Sequence, residues 1–161
     1  LIAQVVLKIY HQPWVFIHPT AGNLSHGTNA IWLFAGSFQL LRCMIVDGSP
    51  VVRKVARRLI ANETIIVTTA DTGYQTIAAC SVEMPDIIIL DDALSDMPAP
   101  EIISQVRALP GGENSKIYLC LPEVDLSRIM RAKRAGAAGY LLKPFNRVSI
   151  TEILPPVPVE G

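Results

Sequence analysis

The sequence predicts an α/β fold, a doubly wound five-stranded parallel sheet with helices on both faces and a shortened last helix. Three observations carry that reading. From Cys43 onward, short apolar runs rich in β-branched residues alternate with stretches of helical periodicity, the order that builds a parallel sheet from βαβ units. The run Ile87-Ile88-Ile89-Leu90 is apolar at every position, as a strand buried on both faces must be. Charged residues stand where three of the runs stop: Asp47, the pair Asp91-Asp92, and Lys143. In open α/β sheets the crevice beyond the carboxyl ends of the strands is where ligands bind.

The elements follow in order. Cys43–Val46 reads as the first strand, ended by Asp47. Ser49-Pro50 supplies an N-cap and a proline for the first helical turn. In the helix that follows, Val51, Val52, Val55, Leu59 and the flanking Ala56 form the expected apolar stripe, with Arg53, Lys54, Arg57 and Arg58 on a solvated face. Ile65–Thr69 is the second strand and Gly73–Ser81 a short helix. After the central strand, Glu101–Leu109 reads as a helix stopped by Pro110-Gly111-Gly112. Ile117–Leu121 is a strand, and Asp125–Ala135 a helix with Gly136 at its C-cap. Ala138–Leu142 is the fifth strand. The last helix, Arg147–Leu154, has room for only about two turns before Pro155-Pro156.

Two acids and one lysine at neighbouring strand ends make a site for phosphate and a divalent cation. A carboxylate is a possible nucleophile for phosphoryl transfer, a metal neutralises phosphoryl oxygens, and an ammonium holds the product as a point charge. The alternative is an ion cluster that only supports the fold.

The stretch from about Leu41 to Leu154 resembles the receiver domain of bacterial two-component response regulators. The resemblance rests on Pro85-Asp86 with Asp91, on Asp47-Gly48-Ser49-Pro50, on Gly136-Ala137-Ala138-Gly139-Tyr140, and on Lys143-Pro144-Phe145. It implies a flavodoxin-like fold over residues 41–154. It also implies Asp91 as phosphoacceptor, Lys143 as its partner, and Mg²⁺ held by Asp47, Asp91 and the backbone carbonyl of Ala93. The implied switch positions are Leu121 and Tyr140. The implied partner is a histidine kinase or phosphotransfer protein, the module itself is not an enzyme, and the setting is cytoplasmic.

The departures are as specific as the matches. The second acid of the family's metal-binding pair is Gly48 here, so Mg²⁺ is expected to bind weakly. Asp92 is a poor substitute, because adjacent strand residues point to opposite faces. Asp96, in the next loop, is the other acid close enough in sequence to reach the metal. The family's switch hydroxyl is replaced by Leu121, thirty residues after Asp91. An isobutyl group donates no hydrogen bond to a phosphoryl oxygen. Tyr140 is then a core aromatic without its trigger. These departures raise a second reading: a pseudo-receiver that binds partners without phosphorylation. No Gly-x-Gly-x-x-Gly, P-loop or Gly-x-Ser-x-Gly motif points to an independent enzyme.

Composition bounds the rest. The chain has 161 residues, half of them apolar, and a formal net charge of zero. That describes a packed domain with no overall field toward nucleic acid or membrane. Cys43, Cys80 and Cys120 sit in apolar surroundings without metal or redox spacing, and are expected to be buried, inert thiols. Arg128, Arg131 and Arg134 recur at helical spacing, and a solvated face is expected there, the other reading being a docking patch for a partner. Residues 1–40 carry only Lys8 as a formal charge, hold His11, His18 and His26, and contain no methionine. No clean membrane span or secretory signal is present in them. They are expected to be upstream sequence outside the natural protein, or else an apolar docking arm. Residues 155–161 are expected to be an extended Pro-rich tail, and the chain a stand-alone receiver or one cut from a longer protein.

Overall fold

The computed structural model describes residues 40–154; the expectations for residues 1–39 and 155–161 lie outside the described residues. Five strands alternate with five helices: β1 Leu41–Val46, α1 Pro50–Ile60, β2 Ile65–Ala70, α2 Gly73–Val82, β3 Ile87–Asp91, α3 Ala99–Ala108, β4 Lys116–Leu121, α4 Leu126–Ala135, β5 Gly139–Leu142 and α5 Arg147–Ile153. The strands pair in parallel in the order β2-β1-β3-β4-β5. The predicted sheet is therefore present, with β3 at its centre. Every residue of β3 is buried, because helices cover both of its faces. The edge strand β2 alternates, with Ile65 and Val67 buried and Ile66 partly exposed.

Two apolar layers flank the sheet. One gathers Met44, Ile88, Leu90, Leu119 and Leu121 with residues of α2, α3 and α4, including Cys80, Ile102, Ile103 and Ala132. The other gathers Cys43, Ile45, Ile87, Ile89 and Cys120 with Ala56 and Ile60 of α1 and Ile150 of α5. Alternate residues of each strand thus feed opposite layers, as the pleat requires.

Local signals set the helix ends. Ser49, Thr72, Asp125 and Asn146 each accept a backbone N–H with their side chains at the starts of α1, α2, α4 and α5, satisfying donors that have no intrahelical partner. Asn146 and Ser149 complete a reciprocal capping box. Its two extra hydrogen bonds suit a helix of only seven residues. α4 ends at Gly136, whose φ of 112° lies in the left-handed region, where a side chain is strained.

One packing expectation fails. Val51 and Val55 are exposed, at 69% and 47%. The inward face of α1 is built by Ala56 and Ile60, which are fully buried, with Val52 and Leu59 half-buried beside them. Those four positions share one face at 3.6 residues per turn, and Val51 and Val55 are each rotated from it by about 100°.

Candidate functional site

The chain leaves β1 toward β2 on one side of the sheet and returns to β3 on the other, so the strand order reverses between β1 and β3. A topological switch point of this kind opens a crevice at the carboxyl ends of the two strands. Val46 lies in register with Leu90, so the next residues, Asp47 and Asp91, emerge side by side. Both are buried, at 4% and 8% exposure.

Lys143 enters this crevice from beyond β5. Its backbone N–H donates to the carbonyl of Leu121 at 2.8 Å, and the Lys143–Pro144 peptide is cis. Its Nζ donates to Asp47 Oδ2 at 2.5 Å and to Asp91 Oδ1 at 2.8 Å. Burial draws the ammonium's pKa down, but the hydrogen bonds to Asp47 and Asp91 outweigh it and the net shift is upward. Lysine therefore stays charged across the physiological range. Asp47 is further fixed by the N–H of Ser49, which donates to its Oδ1 at 2.8 Å. The structure thus brings together Asp47, Asp91 and Lys143, residues separated by up to 96 positions.

Arg53 joins them unexpectedly. Its Nη1 donates to the backbone carbonyl of Asp47 at 2.5 Å, so Arg53 does not belong to a solvated face. The signal lay in its place: it sits in the first turns of α1, and helical side chains lean toward the N-terminus. Gly48 is exposed, and a Cβ built on it would meet nothing within 4 Å. Ala93 lies in the exposed turn after β3. Among the described residues no three acidic, histidine or cysteine side chains cluster as a metal site.

Three further expectations need correction. Asp96 does not face the crevice: its carboxylate accepts the N–H groups of Gly73 at 3.0 Å and Tyr74 at 3.1 Å, at the start of α2. The bond from Gly73 leads the causes that hold its pKa below the ordinary value. Tyr140 is not a core aromatic, because 43% of it is exposed on the edge strand β5. Arg128 is not merely solvated: its Nη1 pairs with Asp92 Oδ2 at 2.8 Å and its Nε with Asp125 Oδ2 at 3.2 Å. Asp92 itself follows the expectation, turned away from the pair that Asp91 makes. Leu121 is fully buried in the layer under α2, α3 and α4, whereas Cys120, the residue in register with Asp91, belongs to the other layer.

The cysteines behave as expected. All three are buried and free, and burial pushes the thiols of Cys43 and Cys80 up to about 12 and about 11. Burial likewise raises that of Cys120. Such thiols have negligible thiolate at neutral pH and are inert. Among the described residues no helix is long and apolar enough to cross a membrane.

Comparison with known proteins bears on the family and the fold. The family model of the response regulator receiver domain matches residues 43–155. The chemotaxis protein CheY of Halobacterium salinarum is 25% identical over 111 residues, covering 69% of this chain and 91% of that protein. The crystal structure of chemotaxis protein CheY4 of Vibrio cholerae superposes with a TM-score of 0.67 at 25% identity, covering 70% of this chain and 94% of the other. The receiver domain of sensor histidine kinase PA1611 of Pseudomonas aeruginosa, solved with a magnesium ion in its active-site cleft, shares the fold with a TM-score of 0.64 at 22% identity, over 71% and 93% of the two chains. With two neighbouring strand-end carboxylates, a lysine bridging them and a family match over most of its length, the chain belongs to the response regulator receiver domain family, a signalling module of two-component systems.

Proposed function

We propose that Asp91 is the phosphoacceptor of this receiver and takes its phosphoryl group from a histidine kinase or a phosphotransfer protein. The observation that carries the proposal is the bridge of Lys143 Nζ to Asp47 and Asp91 at 2.5 and 2.8 Å. In the transfer, a carboxylate oxygen of Asp91 attacks phosphorus, the P–N bond of the donor's phosphohistidine breaks, and the imidazole nitrogen keeps the bonding pair. Lys143 then exchanges Asp91 for the new phosphoryl oxygens while retaining Asp47, so the ammonium remains paired throughout. The buried position of Asp91 limits attack by water on the acyl phosphate.

The donor set suits a hard divalent cation. Mg²⁺ is commonly held by one or two carboxylates, with water and phosphate oxygens completing its shell; here Asp47, Asp91 and the carbonyl of Ala93 would hold it. When bound, Mg²⁺ supplies neutralisation of the phosphoryl oxygens. Gly48 removes one acidic ligand, which supports weak affinity. Retention of Asp47, Asp91 and Lys143 in contact favours this reading over a phosphorylation-independent interaction module.

The test is incubation of the protein with Mg²⁺ and a small-molecule phosphodonor, followed by mass spectrometry. A gain of one phosphoryl group that maps to Asp91 and vanishes in Asp91→Asn is expected. A gain that survives Asp91→Asn, or no gain with the donor in excess, refutes the assignment.

A further inference from the structure

Leu121 cannot hydrogen-bond a phosphoryl group, and its side chain lies in the core layer opposite that of Cys120, the residue in register with Asp91. A receiver built this way needs another group to report the state of its acceptor. The residue after the acceptor, Asp92, is turned outward and is bonded to Arg128 on α4 at 2.8 Å. The Asp92 side chain is only 13% exposed and that of Arg128 45%. Arg128 has a second partner, Asp125, at 3.2 Å. Asp125 also caps α4, accepting the backbone N–H of Arg128 itself at 3.0 Å. One guanidinium is therefore shared between the acceptor's loop and the first turn of its own helix. It lies at a cleft of about 410 Å³ lined by Asp92, Pro98, Ala99, Pro100, Arg128 and Arg131, so its surroundings leave space for the side chain to move.

We propose that Arg128 is the residue that senses the charge at Asp91 and carries it to α4. The inference rests on Asp91 being the phosphoacceptor. Phosphorylation would bring the acceptor from one negative charge to about two, next in sequence to Asp92. The added charge favours the guanidinium on the loop side and weakens its hold on Asp125. The first turn of α4 thereby gains a different set of partners. The two arrangements interact unequally with the phosphoryl group, which is the condition for a ligand to shift a population. Arg128 is a positioning residue in this scheme, since it acts through Asp92 and not on the transferring group.

The experiment records backbone amide shifts on addition of Mg²⁺ and beryllofluoride, a phosphoryl mimic, to the wild type and to Arg128→Gln, Arg128→Lys, Asp92→Asn and Arg131→Gln. Arg131 lines the same cleft without an ion pair among the described residues, so it controls for loss of charge there. In the wild type, shifts are expected at Asp91 and Lys143 and across Leu126–Ala135. Arg128→Gln and Asp92→Asn should reduce the α4 shifts at least twofold while leaving those at Lys143 intact. Arg128→Lys should restore part of the response, and Arg131→Gln should match the wild type. Wild-type-sized α4 shifts in Arg128→Gln would overturn the sensor and spare the phosphoacceptor. No shift at Asp91 or Lys143 in any protein would overturn both. Thermal melts of the variants check folding: a modest fall in midpoint is expected for Arg128→Gln, which leaves the largely buried Asp92 carboxylate without its cation, and a cooperative transition in every variant.

Discussion

Lys143→Ala tests the crevice most directly, because it leaves two buried carboxylates facing each other without their shared cation. Each bond that Lys143 makes is charge-assisted, and such bonds contribute roughly 1.5–3 kcal/mol. Removing one partner from a buried pair costs about 3–5 kcal/mol, much of it the penalty of the stranded charge. The Lys143 side chain is 23% exposed, so water screens part of that loss, and about 2–4 kcal/mol is expected. Urea denaturation at neutral pH and low salt measures it.

The sign of a second change separates electrostatics from lost packing. On the Lys143→Ala background, Asp91→Asn removes the like-charge repulsion and should recover about 1–2 kcal/mol. Mg²⁺ should stabilise Lys143→Ala more than the wild type, since it no longer competes with an ammonium for the same oxygens. A loss below about 1 kcal/mol in the single variant, or a further loss on adding Asp91→Asn, would refute the reasoning.

Other substitutions probe separate parts of the account. Gly48→Asp should fold, given the open space at its Cβ, and should tighten Mg²⁺ binding by on the order of tenfold in calorimetry; equal affinities would place position 48 outside the metal's shell. Leu121→Thr puts a hydroxyl into an apolar layer where Leu121 is fully buried, and should cost about 2–4 kcal/mol in denaturant melts. A negligible cost would mean that the side chain had turned toward the crevice. Arg107 donates to the carbonyls of Gly112, Ser115 and Gly136, tying the end of α3 to the approaches of β4 and β5. Arg107→Ala should lower stability by about 2–4 kcal/mol by thermal or denaturant unfolding. Lys143 has a folded pKa raised above its ordinary 10.5, so its stabilisation is complete below pH 10.5 and is lost as pH rises through the folded value. The stability gap between wild type and Lys143→Ala should accordingly shrink in strong alkali.

The strands were legible because two-sided burial leaves no choice at positions such as Ile87–Leu90, and the candidate site was legible because Asp47 and Lys143 directly follow strands and Asp91 ends one. Position relative to a strand end survives in sequence; the identity of a charge's partner does not. Arg128 finds Asp92 across 36 positions, and Asp96 finds the start of α2 across 23. Neither pairing has a local signature, since each depends on how a loop folds after β3. On α1 the failure was one of phase. Val51 and Val55 are as apolar as Ala56 and Ile60, and only the direction of the sheet decides which pair is buried.

The pair Asp91-Asp92 shows what one residue of offset does at the end of a parallel strand. Asp91 is the last residue of β3, and its carboxylate joins Asp47 and Lys143 inside the crevice. Asp92 lies one step further, and its carboxylate meets a helix on the outside. Two adjacent acids thus belong to two ion-pair circuits joined by a single peptide unit. The inner circuit holds two carboxylates against one ammonium, with the Arg53 guanidinium bound to the Asp47 carbonyl beside it. An acid at position 48 would make that crevice more negative and more dependent on a metal to receive a phosphoryl dianion. With glycine there, Lys143 and Arg53 would carry a larger share of the counter-charge if Asp91 takes a phosphoryl group as proposed. On that reading the glycine that is expected to weaken the metal site should also lower the barrier to an anion entering it.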